Sequence, residues 1–332
     1  MSHQHFDIPE IVVTEHVTEA TEVHSTSFRE PPAWKLNYRI GSGAFGTVFL
    51  EKVQTREMES PELWAVKRIP RALPNFPAKR YQAEVKNLQA LSNHEWFVKF
   101  NSSYEVTDYV YIAMEFISIG DMSVTLVDGY RWNESDMRGV IEQLLHGLTV
   151  MHEAGITHRD LKPENIFLCL IEKETYALRV KIGDFGTSKR IPHSNASTYL
   201  KTTTGTQGYM APEVHDTSIP KTNKVDIWSL GCVLYRMFAG SPLFNDPFEV
   251  WKYAMIPSSS LPVVENLGFS IACENFLHDV LQPNPEDRPS AVECLKKDWI
   301  INKSGASRYF IGRDLHTKLS KIQLAAPNVH TF

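Results

Sequence analysis

The stretch that decides the fold is His158-Arg159-Asp160-Leu161-Lys162-Pro163-Glu164-Asn165. This polar, ionic loop lies between two apolar runs, Leu144 to Met151 before it and Ile166-Phe167-Leu168 after it, which predict core-forming segments on both sides. A loop with so many charged residues between two core-forming segments has two interpretations. Either the loop is a solvated turn, or it holds charged groups in place for chemistry.

A second motif, Gly41-Ser42-Gly43-Ala44-Phe45-Gly46, has the glycine spacing of nucleotide-binding loops. In a Rossmann unit a helix would follow the glycines, whereas here the β-prone Val48-Phe49-Leu50 follows. The pattern therefore predicts two strands joined as a hairpin. An ordinary glycine hairpin is the alternative, and the elements that follow argue against it.

Three further motifs come in order along the chain. The alternating apolar residues of Leu63-Trp64-Ala65-Val66-Lys67 predict a strand that ends in a lysine. Asp184-Phe185-Gly186 follows a predicted hairpin downstream of the charged loop, and Ala211-Pro212-Glu213 follows a segment rich in Ser, Thr and Lys. A triplet such as Asp-Phe-Gly is weak evidence alone, but its position after the charged loop is hard to explain by chance.

Together these motifs resemble those of the eukaryotic protein kinases over about residues 35 to 300. The resemblance implies an α+β, two-lobed kinase fold with ATP between the lobes. A small antiparallel β-sheet lobe would span about residues 34–117, and a larger, mainly helical lobe about residues 118–301. Residues 1–33 are predicted to be a flexible N-terminal arm. Residues 302–332 form a C-terminal tail, whose apolar residues at helical spacing we expect to dock back on the domain.

The resemblance also assigns roles to single residues. Asp160 would accept the proton of the substrate hydroxyl, Lys162 would stabilise the γ-phosphate, and Lys67, held by Glu84, would orient the other phosphates. Mg²⁺ would be held by Asn165 and Asp184. The residues expected to contact ATP are Gly41, Ser42, Gly43, Ala44, Phe45, Gly46, Val48, Ala65, Lys67, Met114, Glu115, Ile117, Asp121 and Phe167.

Residues 187–207 would be the activation loop, regulated by an upstream activating kinase through Thr202, Thr203 or Thr204. Thr202 matches the usual site best, and Arg159 could pair with a phosphate there. Thr206 is instead expected to contact Asp160 and Lys162.

Two scaffold contacts are also expected from the resemblance. Asp226 would brace the backbone of the charged loop, and Arg288 would pair with Glu213.

Lys162 two places after Asp160 is typical of kinases that act on serine and threonine in protein substrates. The motifs are most similar to the calcium/calmodulin-dependent and checkpoint kinases. Relatives that prefer arginine upstream of the acceptor often carry a glutamate where this chain has Arg236. Glu164 and Asp121 remain as acidic groups, so we expect a weakened preference for upstream arginine.

Composition limits the other classes of function. A net charge of −5 gives no electrostatic case for nucleic-acid binding, and no apolar run is long enough to span a membrane. The four cysteines are scattered, which favours a reducing compartment, cytoplasmic or nuclear. Two rival classes stay open: a pseudokinase that acts as a scaffold, and a small-molecule phosphotransferase, which Ala211-Pro212-Glu213 disfavours.

Overall fold

The computed structural model describes residues 23–25, 38–43, 46–53, 61–72, 78–127, 129–171, 174–190, 205–216, 219, 221–255, 268, 270–302 and 307–328. The chain divides into two compact units. The first comprises Met1–Ser92, Val98–Ser118 and Ala326–Phe332, and the second comprises Asn93–Phe97 and Ile119–Ala325. The lobe boundary expected from the sequence lies between residues 117 and 118, and the main change of unit follows Ser118.

The first unit is built on one antiparallel sheet. Its strands are β1 (Val23–Ser25), β2 (Tyr38–Gly43), β3 (Gly46–Val53), β4 (Glu62–Pro70), β5 (Phe100–Glu105) and β6 (Tyr109–Glu115). Their order in the sheet is β1-β5-β6-β4-β3-β2, and one major helix, α1 (Ala78–Leu91), accompanies it. An antiparallel sheet with one major helix is the architecture expected for the small lobe.

The glycine motif forms a hairpin, as predicted: β2 pairs with β3, and Gly43 lies opposite Gly46. Gly46 is required because a Cβ atom there would lie 2.4 Å from the carbonyl oxygen of Arg68. Within residues 1–33, which the sequence predicts to be a flexible arm, Val23–Ser25 pairs with β5. The edge of β5 offers unpaired backbone groups, and an added strand satisfies them.

Glu51 is buried in this sheet although it is a carboxylic acid. It lies opposite Trp64 in the pairing of β3 with β4, on the face that carries a buried aromatic and aliphatic cluster. Neither carboxyl oxygen has a hydrogen-bond partner within the described part of the chain. Burial therefore raises the pKa of Glu51 to about 9, although the charge of Arg68 opposes the shift. The side chain is uncharged at neutral pH.

We expect Glu51→Gln to change how stability depends on pH. Between the unfolded pKa near 4.5 and the folded pKa of about 9, the folded protein binds the extra proton. Stability is therefore lost as pH rises through this window, by up to about 1.4 kcal/mol per pH unit from this group. Urea unfolding at several pH values should show a shallower loss in the variant. The same slope in wild type, Glu51→Gln and the exposed control Glu286→Gln would contradict the assignment.

The second unit is mainly helical. Its helices are α2 (Glu134–Glu153), α3 (Pro212–His215), α4 (Lys224–Ala239), α5 (Pro247–Met255), α6 (Ile271–Val280), α7 (Ala291–Cys294), α8 (Asp298–Ile301) and α9 (Arg313–Ala325). Two short antiparallel pairs join β8 (Ile166–Leu170) to β9 (Leu178–Ile182), and β7 (Ile156–Thr157) to β10 (Lys189–Arg190). Helix α4 is buried along most of its length, because apolar residues occur on all of its faces.

Residues 307–325 of the C-terminal tail belong to the second unit and pack within it, as expected from the sequence. The side chain of Gln143 on α2 donates to the carbonyl oxygens of Leu178 (3.0 Å) and Arg308 (2.9 Å). The apolar stripe of α9 is only partly used for packing. Leu315 and Leu319 are buried, whereas Leu324 is 86% exposed. The expectation that the whole apolar stripe packs on the domain is therefore wrong for Leu324. Within the described ranges no helix is both long and apolar enough to cross a bilayer.

Candidate active site

The charged loop is the centre of a hydrogen-bond cluster in the second unit, so the solvated-turn alternative is excluded. The Oδ1 atom of Asp160 accepts hydrogen bonds from the backbone N–H and the hydroxyl of Thr206, both at 2.8 Å. Lys162 donates to the Thr206 hydroxyl oxygen at 2.6 Å and lies 3.2 Å from the other Asp160 oxygen. The predicted contact of Thr206 with Asp160 and Lys162 is therefore present.

The same loop is held from inside by His158 and Asn165. The Nδ1 atom of buried His158 accepts from the Asp160 backbone N–H at 3.3 Å. Its Nε2 atom must then carry the proton and donate to the Gly183 carbonyl oxygen at 3.0 Å. The Asn165 amide nitrogen donates to the Asp160 carbonyl oxygen at 2.8 Å, so the amide's own oxygen is directed elsewhere.

Asp226, at the start of α4, binds the backbone of the loop. It is fully buried and accepts from the N–H groups of His158 (2.9 Å) and Arg159 (2.8 Å), while His152 lies 2.9 Å away. Burial alone would raise its pKa, but the His152 hydrogen bond, the electrostatic effect of the two neighbouring histidines and the Arg159 amide together hold the pKa of Asp226 below its usual value. This contact fixes Arg159 in a left-handed conformation, with φ of 69°.

Asp184 and Phe185 follow β9. Asp184 also has a left-handed backbone, with φ of 55°, and its exposed carboxylate accepts from the Gly186 N–H at 3.3 Å. Phe185 is buried, with ring-centroid distances of 6.0 Å to Phe97 and 5.6 Å to His158. The buried ring anchors the turn, so that the neighbouring carboxylate stays at the surface.

The first unit contains the predicted lysine–glutamate pair. Lys67 on β4 donates to Glu84 on α1 at 2.6 Å, and both side chains are buried. Strand pairing sets Val48 opposite Lys67 and Met114 opposite Ala65. Because paired residues share a face of a sheet, three of the predicted ATP contacts, Val48, Ala65 and Met114, lie on one face together with Lys67.

Several other predicted ATP contacts can be placed only within their own unit. Glu115 accepts from the Lys99 backbone N–H at 2.6 Å, and Ile117 is half-buried. Asp121 caps a short 3₁₀ helix and forms a backbone bridge with Phe167, and burial raises its pKa. In the glycine hairpin, Gly41, Ser42, Gly43 and Gly46 are described, whereas Ala44 and Phe45 lie outside the described residues. Thr202, Thr203 and Thr204 also lie outside them.

The predicted scaffold pair is present. Arg288 and Glu213 are both fully buried and form a two-pronged ion pair, with distances of 2.8 Å and 3.2 Å. The remaining donors of Arg288 reach backbone carbonyl oxygens, including that of Lys224 at 2.7 Å. A buried ion pair is tolerated only when its hydrogen-bonding groups are satisfied in this way. It joins the Ala-Pro-Glu motif to the base of α4.

Sequence reasoning missed three residues of this network. His152 contacts Asp226, and Phe97 contacts Phe185. Gly205 has φ of 139°, and a Cβ atom there would lie 2.9 Å from the Arg159 carbonyl oxygen. Of the three, Gly205 had a signal in the sequence, because it directly precedes Thr206, whose contacts were predicted. His152 lies in a helical segment and Phe97 in an apolar one. The sequence of neither segment indicates which distant residue the side chain contacts.

We expect Asp226→Asn to destabilise the loop. The amide nitrogen of Asn cannot accept from a backbone N–H, so one of the two buried N–H groups loses its acceptor at a cost of about 1–3 kcal/mol. Urea unfolding should show this loss, and hydrogen exchange at His158 and Arg159 should become faster. The control Asp279→Asn removes only a partly exposed ion pair with Lys297 and should cost under about 1 kcal/mol. Equal effects of the two variants would contradict the bracing role of Asp226.

Comparison with known proteins gives consistent matches. The family model described as "protein kinase domain" matches residues 34–300. The chain is 34% identical over 278 residues to the serine/threonine-protein kinase cds1 of Schizosaccharomyces pombe, a match that covers 80% of this chain and 58% of that protein. It is 30% identical over 302 residues to calcium/calmodulin-dependent protein kinase type 1 of Caenorhabditis briggsae, covering 89% and 78% of the two chains. The type 1B kinase of Homo sapiens is 28% identical over 283 residues, covering 84% and 78%.

Proposed function

The chain belongs to the protein kinase family, and from this we propose that it transfers the γ-phosphate of Mg-ATP to serine or threonine hydroxyls of protein substrates. The observation that carries the proposal is the cluster of Asp160, Lys162 and Thr206. A carboxylate oxygen and an ammonium group there already hold one hydroxyl between them. A substrate hydroxyl needs the same two groups, one to take its proton and one to neutralise the charge that develops on the phosphate.

Asn165 and Asp184 have donor atoms that fit Mg²⁺. The Asn165 amide nitrogen is bound to the loop backbone, which leaves its oxygen for a cation, and Asp184 presents an exposed carboxylate. Mg²⁺ prefers such oxygen donors and takes its other ligands from phosphates and water. No group of three or more His, Cys, Asp or Glu residues suited to a metal occurs in the described ranges, which fits this two-ligand arrangement better than a zinc site. The bound ion would neutralise charge on the phosphates.

Lys67 has the position and the partner needed to orient phosphates. Glu84 holds its ammonium group at 2.6 Å, so the lysine is both charged and directed before a nucleotide arrives. Because phosphoryl transfer requires little covalent chemistry from the protein, positioning of this kind supplies much of the rate. The residues proposed to act are thus Lys67, Glu84, Asp160, Lys162, Asn165 and Asp184.

We expect Asp160→Asn to abolish the activity without unfolding the protein. A general base contributes roughly 10²–10⁴-fold, so phosphate transfer to a Ser/Thr peptide library should fall at least about 100-fold. Transfer is measured with labelled ATP and Mg²⁺, and thermal unfolding of both proteins controls for folding. Absence of transfer by wild type, even after treatment with an activating kinase, would instead favour a pseudokinase that acts as a scaffold.

We also propose regulation through the activation loop by an upstream kinase acting on Thr202, Thr203 or Thr204. Arg159 supports this proposal because its guanidinium lies at the start of that segment, where its Nε–H donates to the Thr187 carbonyl oxygen at 2.6 Å. A fixed cation there could pair with a phosphate. An intracellular location, cytoplasmic or nuclear, is part of the same proposal, since none of the four cysteines forms a disulfide.

Phosphorylation of the activation loop should raise the rate of phosphate transfer. This increase should be lost only when the modified residue itself is substituted. We expect Thr202→Ala to reduce transfer by the treated protein roughly tenfold or more, because the phosphate–arginine contact that orders the loop is missing. Mass spectrometry of the treated protein identifies the modified residue, with Thr203→Ala and Thr204→Ala as matched controls. Full activity without phosphate on any of the three residues would refute the regulation.

A further inference from the structure

Arg236 shares a face of α4 with Ser229, which contacts the segment that carries Thr206. Residues seven apart in an α-helix lie on the same face. Arg236 is therefore on the same face of α4 as Ser229, two turns further along the helix. The Ser229 hydroxyl donates to the Tyr209 carbonyl oxygen at 2.8 Å, which fixes Tyr209 against this face. The Tyr209 N–H in turn donates to the Thr206 carbonyl oxygen at 3.1 Å. The face of α4 that carries Ser229 and Arg236 is therefore joined to the catalytic cluster through a single turn, Thr206 to Tyr209.

The side chain of Tyr209 lies in the field of two opposite charges. Burial raises the pKa of its phenol, the Glu164 carboxylate raises it further, and the Arg236 guanidinium opposes both. Glu164 is the exposed residue two places after Lys162 in the charged loop. An anion on the loop and a cation on α4 are thus both near enough to the Tyr209 phenol to influence its pKa.

Neither charge has an ionic partner among the residues that the structure describes. Within the described part of the chain, the Arg236 guanidinium and the Glu164 carboxylate make no hydrogen bond or ion pair, although Arg236 is half-buried. A partly desolvated guanidinium without an anion is unfavourable, and its planar set of donors matches a carboxylate or phosphate in a two-pronged contact. Such a group is suited to an anion that arrives with a ligand.

We propose that Arg236 selects protein substrates with an anionic side chain, acidic or phosphorylated, close in sequence to the acceptor. The inference rests on the proposed kinase function, because a peptide that presents its hydroxyl to Asp160 must pass the surface formed by Thr206 and Tyr209. An arginine at the same place in the substrate is rejected, since two like charges would face each other. Glu164 and Asp121, whose carboxylates are near enough to interact, remain able to bind a basic residue elsewhere in the peptide.

The test is a positional-scanning peptide library with Mg-ATP, in which each position flanking the acceptor is in turn alanine, aspartate, phosphoserine or arginine. We expect wild type to favour aspartate or phosphoserine over alanine at one position, by about five- to tenfold in kcat/KM. Arg236→Ala should remove this preference, and Arg236→Glu should replace it by a preference for arginine at the same position. A larger gain for phosphoserine than for aspartate would identify pre-phosphorylated proteins as the substrates.

Two controls separate charge selection from other effects. Lys252→Ala removes an exposed cation from α5 and should leave the preference in place, and Arg236→Lys should keep part of it, because the charge remains without the planar donors. Thermal unfolding of every variant checks that the fold survives. A wild type that ranks alanine with aspartate at every position, or an anion preference that survives Arg236→Glu, would overturn the inference.

A failure of the kinase function is detected separately. Peptides with alanine in place of the acceptor cannot be phosphorylated, and their binding is measured by fluorescence anisotropy. If no protein transfers phosphate, tighter binding of the anionic peptide by wild type than by Arg236→Glu still supports the role of Arg236. Equal binding of anionic and neutral peptides would overturn it, whatever the outcome of the transfer assay.

Discussion

The contact on which the second unit's chemistry depends is that between the buried Asp226 carboxylate and the backbone of the charged loop. Two consecutive N–H groups, those of His158 and Arg159, point at one carboxylate, and Arg159 takes a left-handed conformation to allow it. Such a conformation costs free energy for a side-chain-bearing residue and persists only where the surroundings determine it. The orientation of Asp160, one residue later, follows from that constraint.

Charges in this protein fall into two groups according to whether they have partners. Some ionic side chains are paired at short distances, as in Lys67 with Glu84 and Arg288 with Glu213. Glu51 and Arg236 differ, because neither has a partner in the described ranges. Buried Glu51 avoids the cost of an unpaired buried charge by remaining protonated. Arginine does not lose its proton near neutral pH, so Arg236 keeps its charge, and we propose that an anion on the substrate pairs with it.

Much of the candidate site could be predicted because its residues come in short motifs with fixed spacing. The hairpin at the glycines and the contacts of Thr206, Asp226 and Arg288 were all predicted and are present. The strand at Val23–Ser25 could not be predicted, since three residues carry too little pattern. Its cause is the free edge of β5, which only the assembled sheet creates.

What the sequence by itself determined is the identity and order of the chemical groups: the glycines, Lys67, Asp160, Asn165 and Asp184. Spacing along the chain is sufficient to identify these groups, because each motif is a short segment of fixed length whose own residues lie close together. Only the tertiary structure decided which distant groups meet, such as His152 with Asp226 across 74 positions, and which charges remain unpaired. The physical reason is that burial and pairing depend on neighbours from other elements, and local sequence carries no record of them.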